Sequence, residues 1–239
     1  MRTSSGSCTP DSPDRRPVRR DDDRPACSVR SRARTGQGAR HRRRIRSGES
    51  VAGGAHVTAV DTHRPFLEQL EERADRRGPS SIRTLTAPME ALPFKSGSFE
   101  LVWCEGGAYI MGVDAALDAW RRLLAPGGSL VITECEWRTD APSEQARTLW
   151  QAYPGMRTGD DNRHAIAEAD YELLGVVELP ESDRWDEYYT PLSERIDALE
   201  HGDDPDAVEL ARMLREEILL RRDHGADYGY TGYALRPLP

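Results

Sequence analysis

Four short segments of the chain hold residues able to do chemistry, and each follows or interrupts an apolar run. Asp61-Thr62-His63 follows His56-Val-Thr-Ala-Val60. A carboxylate there can accept two charge-assisted hydrogen bonds from a ribose-type diol. The same Asp61 can instead cap the helix that comes next. Ala87 to Phe94 (APMEALPF) is a loop able to wrap an adenine ring. Met89 would lie on the ring with its backbone N–H at the ring edge, and Pro88 and Glu90 would flank it. A buried loop explains the same residues. Cys104-Glu105-Gly106-Gly107 combines small residues, which let a ligand come close to the backbone, with one carboxylate. Glu105 can accept a hydrogen bond from a substrate, act as a base, or attract a cationic group. Glu134 to Trp137 is the fourth segment. Trp137 either lines a pocket or simply packs, and packing is the simpler account.

Strands and helices in strict alternation would position these segments. His56 to Val60 is apolar and β-branched, as in a buried strand. A helix follows, with Pro65 in its first turn and Phe66, Leu67, Leu70 and Ala74 on one face, ending at Gly78-Pro79. Ser81 to Leu85 and Phe99 to Trp103 read as further strands. Val113, Ala116, Leu117, Trp120, Leu123 and Leu124 mark one face of a helix that Pro126-Gly127-Gly128 stops, and Leu130 to Glu134 is another strand. The pattern predicts βαβ units, a mostly parallel doubly wound sheet and right-handed crossovers. Ligands then bind beyond the carboxyl ends of the strands, where the four segments lie.

The C-terminal part predicts helices over 142–153, 162–169, 191–199 and 205–222, with a strand over 173–179. A final strand over 228–235 is expected to return to the sheet as an antiparallel edge. Tyr109, Trp137, Tyr153, Trp185 and Tyr189 are candidate walls of a substrate pocket, though for each taken singly core packing is the plainer account.

At 239 residues the chain has room for one domain of this type. Its charge is uneven. Residues 1–50 hold 14 Arg against six Asp and Glu, a balance of +8, so a net −8 leaves −16 on the remainder. An acidic body argues against nucleic acid as the main partner and against an anionic membrane surface. Lys95 is the only lysine. Cys8, Cys27, Cys104 and Cys135 have no metal-ligand spacing, so no metal is expected. No apolar run is long enough to span a bilayer, and the N-terminus lacks the apolar core of a signal peptide. The expectation is a cytoplasmic enzyme. Residues 1–55 are rich in Arg, Ser, Pro, Asp and Gly without periodicity, the composition of a disordered segment. Ala39 to Arg46 (ARHRRRIR) could form a nucleic-acid-binding arm, but a solvated tail is the plainer reading.

The motifs together resemble those of class I S-adenosylmethionine-dependent methyltransferases. His56 to Asp61 is similar to the family's second strand with its acidic ribose ligand. Met89-Glu-Ala-Leu-Pro-Phe94 followed by Ser96 to Trp103 is similar to its M-x-x-L-P-F-x-x-x-S-F-D-L-V stretch. Arg121-Arg-Leu-Leu-Ala-Pro-Gly-Gly128 is similar to its R-x-L-K-P-G-G lead into the fifth strand. Trp103 to Gly112, with Glu134, Trp137 and Ala152-Tyr-Pro154, resembles a bacterial small-molecule subgroup related to the ubiquinone and menaquinone methyltransferases.

The resemblance implies S-adenosylmethionine as cofactor and a small-molecule methyl acceptor. It places Asp61, Thr62, His63, Pro88, Met89, Glu90 and Cys104 at the cofactor and Glu105 at the reacting group. It implies a Rossmann-like domain over 56–239, with a helical substrate-side elaboration over 142–225.

Two departures stand out. Pro88 occupies the position where the family often has an acidic residue that bonds the adenine amino group. The family's first strand and glycine-rich turn are also not recognisable. Gly36-Gln-Gly38 has the right distance from Asp61, but Ser28 to Arg34 does not form an apolar strand, so that strand and loop are expected to be missing. An abrupt change of composition at Gly53 to His56 is what a wrong reading frame or start would leave, and the coding DNA upstream of codon 53 is the test. Two rival readings follow: a methyltransferase-fold remnant without catalysis, and a nicotinamide-dependent oxidoreductase. The second lacks a Tyr-x-x-x-Lys pair.

Overall fold

A computed structural model describes residues 27–32, 55–76 and 82–239. Its strands are β1 (Cys27–Arg32), β2 (Ala55–Asp61), β3 (Ile82–Thr86), β4 (Phe99–Glu105), β5 (Leu124–Trp137), β6 (Tyr171–Glu178) and β7 (Tyr228–Pro237). They form one sheet in the order β3-β2-β1-β4-β5-β7-β6. The helices are α1 (Arg64–Arg76), α2 (Val113–Arg121), α3 (Glu144–Leu149), α4 (Gly159–Glu168), α5 (Glu181–Arg184), α6 (Thr190–Leu199) and α7 (Pro205–His224). The β2–β3 and β4–β5 pairs are parallel, as the βαβ pattern predicts. The Rossmann-like α/β reading holds.

The central slot differs from the sequence expectation. A strand does occupy it, but β1 runs antiparallel to both β2 and β4. Cys27 lies opposite both Val60 and Cys104, so the chain enters at the edge where β2 and β4 end and leaves from Arg32 at the other edge. The physical reason is backbone demand. β2 and β4 would otherwise hold rows of unpaired N–H and C=O groups in the middle of a sheet, which is costly. Any six extended residues can pair with them, apolar or not. The expectations for Gly36-Gln-Gly38, for Ala39 to Arg46 and for the Gly78-Pro79 stop fall outside the described residues.

The last strand also sits elsewhere than expected. β7 pairs antiparallel with both β5 and β6, and β6 is the edge. β7 is thereby hydrogen-bonded along both sides, and its Tyr228, Thr231, Tyr233 and Leu235 are buried.

One face of α2 builds the core as its spacing predicts. Val113, Ala116, Leu117 and Trp120 are buried against Leu130 and Ile132 of β5 and Tyr233 and Leu235 of β7. Each large side chain so buried contributes about 1.5–3 kcal/mol. The next two arginines act as staples. Arg122 donates to the carbonyls of Leu92 and Phe94 at 2.7 Å each. Arg121 donates to the carbonyls of Ala169, Asp170 and Leu238 at 3.1, 3.0 and 2.6 Å. Together they tie the Met89–Phe94 loop and the C-terminus to α2. Among the described residues no helix is long and apolar enough to cross a membrane, and no His, Cys, Asp and Glu cluster could hold a metal ion.

Candidate active site

The carboxyl ends of β2, β4 and β5 share one edge of the sheet. Val60, Cys27, Cys104 and Ile132 are level in the register, so Asp61, Glu105 and Thr133 come next on their strands. Strand spacing puts Asp61 and Glu105 roughly 10 Å apart, with β1 between them.

Asp61 is 8% exposed. Its Oδ1 accepts the backbone N–H of His63 at 2.7 Å, and among the described residues nothing else donates to the carboxylate. It therefore closes a turn before α1 and does not cap the helix. Thr62 is exposed, and the His63 ring stands edge-on to Phe66 with centroids 4.5 Å apart. The Ala87 N–H donates to the Asp61 carbonyl at 3.1 Å, which brings the second loop beside the first.

In that loop Pro88 is extended and Met89–Ala91 makes one 3-10 turn. The Trp120 indole N–H donates to the Met89 carbonyl at 3.1 Å. With the two Arg122 bonds, α2 holds three carbonyls of the loop. Pro88 and Glu90 are exposed and Met89 is partly buried, a surface that a flat ring could cover. Cys104 is fully buried in the main core, so only its backbone is available to a ligand.

Glu105 is exposed at the end of β4. The next residue, Gly106, has φ of 55°, and its N–H donates to the Thr133 hydroxyl at 2.7 Å. Gly112 has φ of 89°, so two glycines in a backbone region that other residues avoid bracket residues 107–111. That short segment carries Tyr109, which is 39% exposed.

Sequence reasoning placed Glu134 in its fourth segment but gave no role to it, although it has the most unusual environment of the candidates. Glu134 of β5 is 1% exposed and shares a strand face with the buried Leu130, Ile132 and Glu136. The Tyr153 hydroxyl donates to its Oε2 at 3.2 Å. Its Oε1 is buried without a hydrogen-bond partner. Burial pushes the Glu134 carboxyl up to about 7, against the opposing pull of the Tyr153 hydroxyl, nearby Arg157 and the Tyr109 backbone N–H. Arg157 pairs with Asp114 at the start of α2 at 3.0 Å, and its own Nε is buried without a partner. The Trp137 N–H donates to the Arg157 carbonyl at 3.0 Å, which draws the 153–158 turn along the end of β5. Neighbouring Glu136 is fully partnered by contrast. It accepts from Tyr233 and Thr231 at 2.5 Å each and from Asn162 at 3.2 Å. A signal was present in Leu130-Val-Ile-Thr-Glu-Cys-Glu136, where strand alternation puts both glutamates on the core face.

The five aromatic candidates divide into three groups. Tyr109 and Tyr153 meet at 5.1 Å between ring centroids, beside Glu134. Trp137 packs with Cys135, Met156 and Tyr228 in a second apolar cluster, which Tyr153 also borders. Trp185 and Tyr189 meet at a tilt with ring centroids 5.1 Å apart within a π-helical turn, and Tyr189 is buried beside Tyr188.

Residues 36–132 match the methyltransferase domain family. The match starts at Gly36 and includes Asp61, the Met89–Phe94 loop and the Arg121–Gly128 stretch. A demethylmenaquinone methyltransferase of Thermus thermophilus is 38% identical over 84 residues, which is 35% of this chain and 38% of that protein. The chain spans between 38% and 56% of the length of the curated relatives it matches. A crystal structure of a SAM-dependent methyltransferase from Geobacter sulfurreducens with S-adenosyl-L-homocysteine superposes with a TM-score of 0.62 at 23% identity, covering 76% of this chain and 75% of that one. The [4+2]-cyclase SpnF superposes with a TM-score of 0.60 at 17% identity, over 76% and 66% of the two chains. Over residues 36–132 the chain is therefore similar to methyltransferase domains, and the superpositions show that it shares their α/β fold.

Proposed function

We propose that this chain transfers a methyl group from S-adenosylmethionine to a small-molecule acceptor. The observation that carries the reading is the pairing of Asp61, at the end of β2, with a loop that α2 holds rigidly beside it. That arrangement fits the adenosine half of the cofactor. Asp61, Thr62 and His63 would take the ribose, and Pro88, Met89 and Glu90 would cover the base, with backbone groups supplying the polar contacts that the Pro88 side chain lacks. The backbone at Cys104 would border the cofactor. A methionine cradle is not part of the described residues.

Bound cofactor supplies a methyl carbon already activated by a positive sulfur. The chain's own residues need mainly to hold the acceptor in line, where proximity supplies most of the acceleration. Glu105 would position the acceptor at the mouth of the site. Tyr109, Trp137 and Tyr153 would wall it, with Trp185 and Tyr189 farther along the helical elaboration. Demethylmenaquinone is the first acceptor to assay, given the Thermus relative's name. An acidic body makes nucleic acid a poor acceptor, and the proposed setting is the cytoplasm.

The antiparallel β1 favours one alternative, a fold remnant that binds no cofactor. Calorimetric titration with S-adenosylmethionine and with NADH separates the readings. Binding of the former alone is expected. Binding of neither overturns the proposal in favour of the remnant, and binding of NADH alone overturns it in favour of a nicotinamide enzyme.

A further inference from the structure

We infer that Glu134, not the exposed Glu105, receives the proton of the acceptor, and that the acceptor presents an O–H group to its Oε1. The inference rests on the methyl-transfer reading. Glu134 has one oxygen held by Tyr153 at 3.2 Å and one buried oxygen with no partner. A buried carboxylate oxygen without a donor is expensive to leave so, by about 1–3 kcal/mol or more. A ligand hydroxyl satisfies it.

The groups that face Glu134 are few. Tyr153 donates to it, the Tyr109 backbone N–H lies close by, Arg157 attracts its charge, and Glu136 on the same strand repels it. The Cys135 thiol, pushed up to about 12 by burial, stays neutral beside it. Arg157 is already engaged by Asp114 and does not neutralise Glu134 directly, while Glu136 is held in place by Thr231, Tyr233 and Asn162. Desolvation dominates, and a carboxylate raised toward neutrality is a better base at neutral pH than an ordinary one. The cover over it is short. Residues 107–111 lie between Gly106 and Gly112, both at positive φ, and swinging them would lift Tyr109 from Tyr153. In the overall step the acceptor oxygen gains the methyl carbon and loses its proton. The proton passes to Glu134 Oε1, and sulfur keeps the electron pair of the bond that breaks.

The test uses 2-naphthol and naphthalene as probes, titrated calorimetrically into the full chain and into Glu134→Gln, with and without S-adenosyl-L-homocysteine. At about pH 8 the wild type is expected to bind naphthol about tenfold more tightly than naphthalene, and the variant to lose that preference. Equal preference in the two proteins, or none in the wild type, overturns the inference. If the variant does not fold, the wild type alone decides. Its preference must fade below about pH 6 as Glu134 takes up a proton, and a preference unchanged with pH overturns the idea. The homocysteine product is titrated in the same samples. Its failure to bind would count against the methyl-transfer reading, separately from the naphthol result.

Discussion

Asp61 and Glu134 are both carboxylates at strand ends on one edge of the sheet, both are under a tenth exposed, and their environments diverge. Asp61 ends a strand at a turn whose own backbone N–H satisfies one oxygen, with loops around it that stay partly open. Glu134 lies on the core face, receives one tyrosine hydroxyl and keeps one oxygen unpartnered. The first suits a ligand that brings two donors, such as a diol. The second suits a ligand that brings a proton. Position along the strand sets the difference: Asp61 is the last residue of β2, whereas β5 runs three residues beyond Glu134 and the 153–158 turn closes over it.

The largest effect expected from this contrast is on stability. Folding raises the Glu134 pKa from 4.5 to about 7, so between those values the folded chain holds a proton that the unfolded chain has lost. The contribution is complete below about pH 4.5 and fades as pH rises through 7, by up to about 3 kcal/mol. Urea unfolding across this range should show the loss in the wild type and a much flatter profile in Glu134→Gln. Identical profiles would erase the contrast.

A smaller effect concerns the cofactor. Asp61→Ala should weaken S-adenosylmethionine binding about thirtyfold, the loss of charge-assisted bonds to a diol, while Glu134→Gln changes it less than about twofold. Calorimetry that finds both variants equally weakened would mean the two carboxylates serve one site in one way. The smallest effect belongs to Tyr153→Phe. Loss of that single donor should cost about 1 kcal/mol and move the midpoint of the pH-dependent stability loss upward, read from the same unfolding series.

Much of the sheet was legible because its signals are local. The β2 run, the α2 face and the Met89–Phe94 loop appear where spacing put them, since burial of a strand or a helix stripe leaves a period of two or 3.6 in the chain. Asp61 was legible for the same reason, as the first polar residue after a buried strand. Glu134 was not, although its alternation with Leu130 and Ile132 was visible, because a glutamate on a core face has meaning only once its partners are known. Tyr153 and Arg157 come from a turn about 20 residues away in sequence. The aromatic candidates were chosen by type, and the structure sorts them: Tyr109 and Tyr153 sit at the carboxylate, Trp137 packs against the same apolar cluster as Tyr153, and Tyr189 packs within the helical elaboration.

The sequence by itself determined the alternating α/β order, the family likeness and the sheet edge at which the candidate site residues gather, because hydrophobic period and turn residues act over short distances. Only the tertiary structure decided which segment fills the centre of the sheet and in which direction. Backbone hydrogen bonding there accepts an antiparallel β1 with no apolar pattern, so side-chain pattern carries no signal. Tertiary packing likewise decided that the same carboxylate group closes a turn at Asp61 and is buried with an unpartnered oxygen at Glu134. Desolvation is a property of the surroundings, and those are assembled from distant parts of the chain.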